Sequence, residues 1–444
     1  MSPASVRNPA RLVPLAFFFA IMLGTAVLMI PASRTGDGGA PFLTALFTAT
    51  SAVCVTGLIV VDTPTYWSGL GEAIILALIQ VGGFGIMTGA TMLGLLVTRR
   101  LKLNYRLLAQ AETRTFTLGD VTSVLRLILI ATVTVELLIA AVLTSRFLLH
   151  YEQPLDSALW NGLFHSVSAF NNAGFARYSD SVMSFALDPF ILVPLVIGVV
   201  LGGLGFPVLY ELRRELFSPG KWSLHTKITL LGTGILLVAG VFFVLAFEWR
   251  NPGTIGPMDT DGKLLSAIFH SVVTRTAGFN SLDLAQMRPE TLLVSDVLMM
   301  IGGGSAGTAG GIKVSTFLVL GLIVWAEVRG EPDASAFGRR LSSEVQRQAL
   351  TVVLLAIGIV AAGTLVLLSV SRFELSEVLF EAVSAFATVG LSTGITAQFS
   401  PIGHVTLILL MFIGRVGTIT VATALALRPS RRPYRYPQER PIVG

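Results

Sequence analysis

The chain has 444 residues, of which 53% are hydrophobic and only 13% charged. Soluble globular proteins carry about 25% charged residues, so this composition excludes a soluble surface of such size, and the apolar excess excludes disorder. The single cysteine, Cys54, excludes an intrachain disulfide framework and a multi-cysteine metal site, and the net charge of +5 is too modest for a nucleic-acid footprint; what remains is an all-α polytopic membrane protein.

In chain order, the first apolar run extends from Leu12 to Ile30, after Arg7 and Arg11. Pro31-Ala32-Ser33 behind it imitates a signal-peptide cleavage site, but the run fits the repeat described next, and we read it as a retained helix. Apolar segments able to span a hydrocarbon core of about 30 Å are expected near 12–30, 70–97, 121–149, 188–210, 227–247, 291–325, 348–370 and 402–427. Between the members of each successive pair lies a short apolar stretch of about a dozen residues, too short to span and therefore re-entrant. A glycine-containing loop follows each stretch.

The four loops align on one glycine each: Val55-Thr56-Gly57, Asn172-Ala173-Gly174, Thr276-Ala277-Gly278 and Thr388-Val389-Gly390. The glycines are separated by 117, 104 and 112 residues, and one in four equally spaced loops is hard to obtain by chance. Ser51-Ala52-Val53, Ser168-Ala169-Phe170 and Ser384-Ala385-Phe386 precede the first, second and fourth glycine at the same distance. The third repeat departs from this pattern, and its His270-Ser271 stands one residue closer to the glycine than His165-Ser166 does in the second.

The pattern divides the chain into repeat 1 (1–98), a connection (99–120), repeat 2 (121–212), a connection (213–225), repeat 3 (226–325), a connection (326–346), repeat 4 (347–427) and a basic tail (428–444). With the N-terminus inside, the inner segments hold twenty Lys and Arg residues against eight in the outer ones. The positive-inside bias therefore places both termini in the cytoplasm and brings the glycine loops in from outside.

Non-helical backbone at membrane depth is tolerated only where it is buried in protein or lines a water-filled path. Four such loops around one axis can replace an ion's hydration shell with backbone carbonyls, and glycine permits the positive φ that turns carbonyls toward that axis. Thr388-Val389-Gly390 matches the start of the potassium-channel filter sequence. The candidate filter is thus Val55, Thr56, Gly57, Asn172, Ala173, Gly174, Thr276, Ala277, Gly278, Thr388, Val389 and Gly390, with K+ as the transported ion held by carbonyls.

The sixth span is interrupted by Gly302-Gly303-Gly304-Ser305-Ala306-Gly307-Thr308-Ala309-Gly310-Gly311, followed by Ile312 and Lys313. Each glycine costs a helix about 1 kcal/mol relative to alanine, so the helix is expected to break there. A loop below the filter would act as a gate. Gly82-Gly83-Phe84-Gly85 and Gly202-Gly203-Leu204-Gly205 fit close helix crossings instead. Arg415, in Gly414-Arg415-Val416-Gly417, is expected to face the pore or the broken sixth helix, hydrogen-bond exposed carbonyls there and add a positive barrier. Lys313 either snorkels to the interface or shares in the gate. Arg275 is expected behind the filter, since a cation path would repel it. Glu381, His165 and His270 are expected to make structural hydrogen bonds there. Glu136 is either buried in a hydrogen-bonded site or faces an oligomer interface. No Walker-type GxxxxGK[ST] loop and no HExxH are present, and nothing points to an enzyme.

These residues resemble the Trk/Ktr/HKT superfamily of potassium transporters, across essentially the whole chain. The resemblance rests on the four helix–pore-loop–helix repeats, Ala173-Gly174-Phe175, Thr276-Ala277-Gly278-Phe279-Asn280, the Gly302–Lys313 segment and Arg415. A start at the first repeat and the tail Tyr436-Pro437-Gln438-Glu439-Arg440-Pro441-Ile442-Val443-Gly444 are similar to the KtrB branch. The resemblance implies a homodimer in the bacterial plasma membrane, one pore per protomer, and a cytoplasmic KtrA-type ring. That ring, rather than this chain, would bind ATP or ADP and move the gate. It also suggests Na+ as an activator. Gly57 stands where some sodium-favouring plant relatives have serine, which implies potassium.

Overall fold

The computed structural model describes residues 9–100 and 121–417. Most of the expected 99–120 connection, the end of the eighth span and the 428–444 tail lie outside the described residues. Each repeat begins with an outer helix, followed by a short buried helix, a loop and an inner helix. Repeat 1 comprises α1 (Pro9–Leu28), α2 (Phe42–Val53) and α3 (Gly69–Arg100). Repeat 2 comprises α4 (Val121–Leu149), α5 (Leu155–Phe170) and the pair α6 (Pro189–Leu204) and α7 (Phe206–Glu215). Repeat 3 comprises α8 (Leu224–Glu248), α9 (Thr260–Val273), α10 (Pro289–Met300) and α11 (Val314–Val328). Repeat 4 comprises α12 (Ser343–Ser369), α13 (Leu375–Ala387) and α14 (Pro401–Phe412), which runs into a π-turn at Ile413–Gly417.

Among the described residues, four helical segments are long and apolar enough to cross a membrane unaided: Gly69–Thr91, Leu125–Leu149, Leu224–Glu248 and Ser343–Ser369. The bent pair α6 and α7 is long and apolar enough only when its two helices are taken together as one span. The sixth expected span is split into α10 and α11, with residues 301–313 outside any α-helix, as six glycines in ten residues require. Helix starts follow local chemistry. Proline occupies the first turn of α6, α10 and α14, where its missing N–H costs nothing. Ser223, Asp259, Ser342 and Ser400 accept a backbone N–H at the starts of α8, α9, α12 and α14.

The fold is inside-out relative to a soluble protein. Phe19, Leu138, Val238, Phe242, Leu354 and Leu365 are exposed on the outer helices, as contact with lipid allows. The four short helices are buried at the centre. Phe47, Phe164, Phe269 and Phe380, one on each, are fully enclosed. These phenylalanines precede their glycines by ten, ten, nine and ten residues, so the third repeat is one residue shorter here too.

Two features differ from expectation. The Gly202–Gly205 stretch is not merely a close crossing inside a continuous helix. Gly205, at φ +92°, ends α6, and α7 leaves at 101° to it. The 326–346 connection, expected as a loop, contains a small antiparallel hairpin pairing Ser335–Ala336 with Arg339–Arg340.

Candidate ion pathway

The four glycine loops meet at one point. Gly57, Gly174, Gly278 and Gly390 all have left-handed backbones, with φ of +95°, +71°, +75° and +96°. Two residues before each stands another positive-φ residue that is not glycine: Val55, Asn172, Thr276 and Thr388, at φ between +52° and +70°. Such conformations are uncommon for these residue types and are strained for the β-branched ones. Every loop therefore has the same alternation, which turns successive carbonyls to one side instead of to opposite sides.

The glycines also close a ring. A Cβ on Gly57 would lie 2.5 Å from the carbonyl oxygen of Ala173, and one on Gly174 would lie 2.9 Å from that of Ala277. On Gly278 it would lie 2.6 Å from that of Val389, and on Gly390 it would collide with that of Thr56. Each loop thus abuts the next in the order one, two, three, four, one. No side chain fits at any of the four positions. On the far side of the ring from the 302–311 loop, a cavity of about 550 Å³ opens between the repeats, lined by all four glycines together with Asp62, Tyr178, Ser179, Asn280, Ser392 and Thr396.

The recurring serine braces its loop. The carbonyl of Ser51 accepts from Thr56 N at 2.8 Å, that of Ser168 from Ala173 N at 2.7 Å and that of Ser384 from Val389 N at 2.8 Å. The hydroxyls of Ser51 and Ser384 accept from Gly57 N at 3.0 Å and Gly390 N at 3.1 Å, and that of Ser168 donates to the carbonyl of Phe175 at 2.8 Å. In the third repeat Val272 replaces the serine, and Ala277 N bonds one residue nearer, to the carbonyl of Val273 at 3.0 Å. Glu381, fully buried, accepts from Thr396 Oγ1 at 2.9 Å and from Ser392 Oγ. His270 Nε2 lies 3.1 Å from Ser295 Oγ.

The 302–311 loop sits directly against this ring. It is pinned at its ends, with Gly302 N donating to the carbonyl of Ile312 at 2.8 Å and Val314 N to that of Gly303 at 3.0 Å. Gly310 N donates to Thr276 Oγ1 at 3.2 Å. Thr308 Oγ1 donates to the carbonyl of Phe170 at 3.2 Å and lies 2.9 Å from the Asn172 amide. A Cβ on Gly310 would strike Thr388 Oγ1. The loop therefore touches three of the four glycine loops.

Three cations converge on the loop. Arg415, buried in the π-turn, donates to the carbonyl of Thr308. Arg275, also buried, donates through Nη2 to the carbonyl of Gly302 at 2.9 Å, so it reaches the loop. Lys313 is half-buried, with Nζ 2.5 Å from the carbonyl of Ala309. Sequence reasoning missed the fourth span's share. Gly304 N donates to the carbonyl of Gly203 at 2.7 Å, Thr308 N to that of Gly202 at 3.1 Å, and Phe206 N to that of Ala306 at 3.3 Å. The glycine cluster at 202–205 was the available signal.

Glu136 is buried and takes part in a hydrogen-bonded site. It accepts from Asn171 Nδ2 at 3.0 Å and Gln80 Nε2 at 3.2 Å, and so joins α3, α4 and the end of α5. Asn171 in turn lies against Gly83, where a Cβ would collide with its Oδ1.

Comparison with known proteins accords with this geometry. Residues 16–436 match the TrkH family, described as cation transport proteins. The chain is 37% identical to the Ktr system potassium uptake protein B of Bacillus subtilis, over 98% of this chain and 97% of the relative. It is also 37% identical to the protein of that name from Vibrio alginolyticus, over 98% and 94%, and 32% identical to the potassium/sodium uptake protein NtpJ of Enterococcus hirae, over 98% and 97%. The crystal structure of the potassium transporter TrkH from Vibrio parahaemolyticus shares the fold, with a TM-score of 0.69 at 18% identity over 95% of this chain and 85% of that one.

Proposed function

This chain belongs to the TrkH family of cation transport proteins, a family of transporters and not of enzymes, and on that premise we propose that it is the K+-translocating subunit of a bacterial uptake system. The observation that carries this reading is the closed ring of four left-handed glycine loops. Carbonyls of Val55, Thr56, Gly57, Asn172, Ala173, Gly174, Thr276, Ala277, Gly278, Thr388, Val389 and Gly390 stand in for the hydration shell of K+. The ion moves down the membrane potential, which supplies about 2.3 kcal/mol per charge per 100 mV.

Residues 302–311 form the gate, and Arg415, Arg275 and Lys313 hold it with positive charge that opposes a cation below the filter. The names of the relatives, potassium uptake in two cases and potassium/sodium uptake in a third, support K+ as cargo; Na+ as an activator rests on the family resemblance alone. By the same reading the protein is a homodimer in the plasma membrane with both termini cytoplasmic. A KtrA-type ring that binds ATP or ADP moves the gate from that side. The test is ion flux into liposomes containing the purified protein, with K+, Na+ and a small organic solute as alternatives. K+ flux well above the other two is expected. Solute uptake coupled to an ion gradient would instead indicate a secondary transporter.

A further inference from the structure

A half-buried ion pair outside the gate bears on the filter. Glu72 lies in the first turn of α3, with its side chain 3% exposed. Arg177 belongs to repeat 2, three residues beyond Gly174, between the cavity-lining Ala176 and Tyr178. Arg177 Nε and Glu72 Oε2 are 2.8 Å apart, and Trp160 Nε1 donates to the same oxygen at 2.7 Å. Arg177 Nη1 donates to Asn161 Oδ1. The backbone N–H of Arg177 donates to His165 Nε2 at 3.3 Å. His165 Nδ1 faces the carbonyl of Asn161 at 2.8 Å, which can only accept, so the ring is the neutral Nδ1–H tautomer.

The outward limb of the second glycine loop is therefore held from two sides. A histidine of its own short helix takes the main chain, and a carboxylate from repeat 1 takes the side chain. A guanidinium this near a cation entrance would repel cations unless balanced, and one carboxylate does both tasks. We propose that Glu72 is a positioning residue for the filter. It fixes Arg177, and so the outward limb of the second loop, and it cancels the positive charge that Arg177 would otherwise present to incoming cations.

The inference rests on the glycine ring being the filter. Its test compares Glu72→Gln, Arg177→Gln, the double variant and Glu72→Asp in the full-length protein in liposomes. K+ and Na+ fluxes are read at ionic strengths giving Debye lengths of about 30 Å and about 10 Å, set with choline chloride. Glu72→Gln leaves an uncompensated cation, and K+ uptake falls by on the order of tenfold at low ionic strength and by less at high. Arg177→Gln leaves an uncompensated anion and gives the opposite salt dependence. Both lower the K+/Na+ ratio. The double variant recovers the wild-type salt dependence but not the ratio, and Glu72→Asp keeps the wild-type salt dependence.

A purely structural pair would give two losses of one sign with no salt dependence, and that result overturns the inference. Should Glu72→Gln fail to fold, Arg177→Gln and the double variant carry the same comparison. Gly57→Ser is measured alongside. If it shifts the ratio while the pair variants do not, the inference fails and the filter reading stands. If it shifts nothing, the filter reading fails and takes the inference with it.

Discussion

Gly57→Ser tests the ring at its most direct point. The new Cβ would stand 2.5 Å from the carbonyl oxygen of Ala173 and 3.0 Å from Gly174 Cα, whereas ordinary contact begins at 3.4 Å. The first and second loops must therefore part by about 0.9 Å at the Ala173 carbonyl, the difference of those two distances. The left-handed backbone at φ +95° adds strain, about 1–2 kcal/mol for a residue with a Cβ. Both effects fall on carbonyls that face the ion in the proposed filter. If that strain is relieved by widening the ring, K+ loses about 1–2 kcal/mol of preference, and each 1.4 kcal/mol is tenfold. The K+/Na+ flux ratio in liposomes should fall by about tenfold. Gly358→Ser is the control, since a Cβ there meets nothing within 4 Å. A folded Gly57→Ser protein with the wild-type ratio would refute the argument that these glycines line the ion path.

Three further outcomes follow from the contacts around the ring. Deleting 302–311 should raise K+ flux, and Arg415→Ala should raise it several-fold less, because Arg415 contributes one charged hydrogen bond to a loop pinned by many; unchanged flux in both would remove the gate role. Gly205→Ala places a Cβ against the carbonyl of Ser305 at a backbone φ of +92°, so it should displace the loop and also raise flux, read by stopped-flow uptake. Ser384→Ala removes the acceptor of Gly390 N, at a net cost of about 0.5–1.5 kcal/mol; thermal unfolding should show that loss and ion competition a lowered K+/Na+ ratio.

The repeat was legible because glycine was needed at the same point four times. Where a Cβ cannot enter, residue choice records geometry directly, and the serine before three of the glycines records the brace. The break at 302–311 was legible for a related reason, since that glycine density has no helical alternative. The bend at Gly205 was not, because a glycine cluster serves a close crossing and a left-handed turn equally well. Only the neighbouring Ser305 carbonyl decides between them. The partners of Glu136 and Arg275 were hidden for another reason. Gln80 and Asn171 stand 56 and 35 residues from Glu136, and polar pairing across repeats leaves no periodic trace.

The two broken helices form one unit, and its energetics bear on how such a gate can open. Seven of the hydrogen bonds that tie residues 302–310 to their surroundings are three with the 202–206 turn, one each with Thr276, Arg275 and Arg415, and one from Thr308 to Phe170. At a net value of about 0.5–1.5 kcal/mol each, these seven sum to roughly 3.5–10.5 kcal/mol. Moving a two-state equilibrium from 1:99 to 99:1 takes about 5.5 kcal/mol of differential binding. Thermal motion alone leaves such a loop closed, whereas a bound partner that favours the open state has the required scale. The same contacts tie the loop to the filter, since Asn172 and Thr276 carry left-handed backbones in the ring and side chains that touch the loop. A displacement of the loop must therefore change the support beneath the second and third glycines. With the loop as gate and the ring as filter, as proposed, opening and selectivity would be coupled through these two side chains, and Thr276→Val, which keeps the shape but not the hydroxyl, should shift both in the same flux experiment.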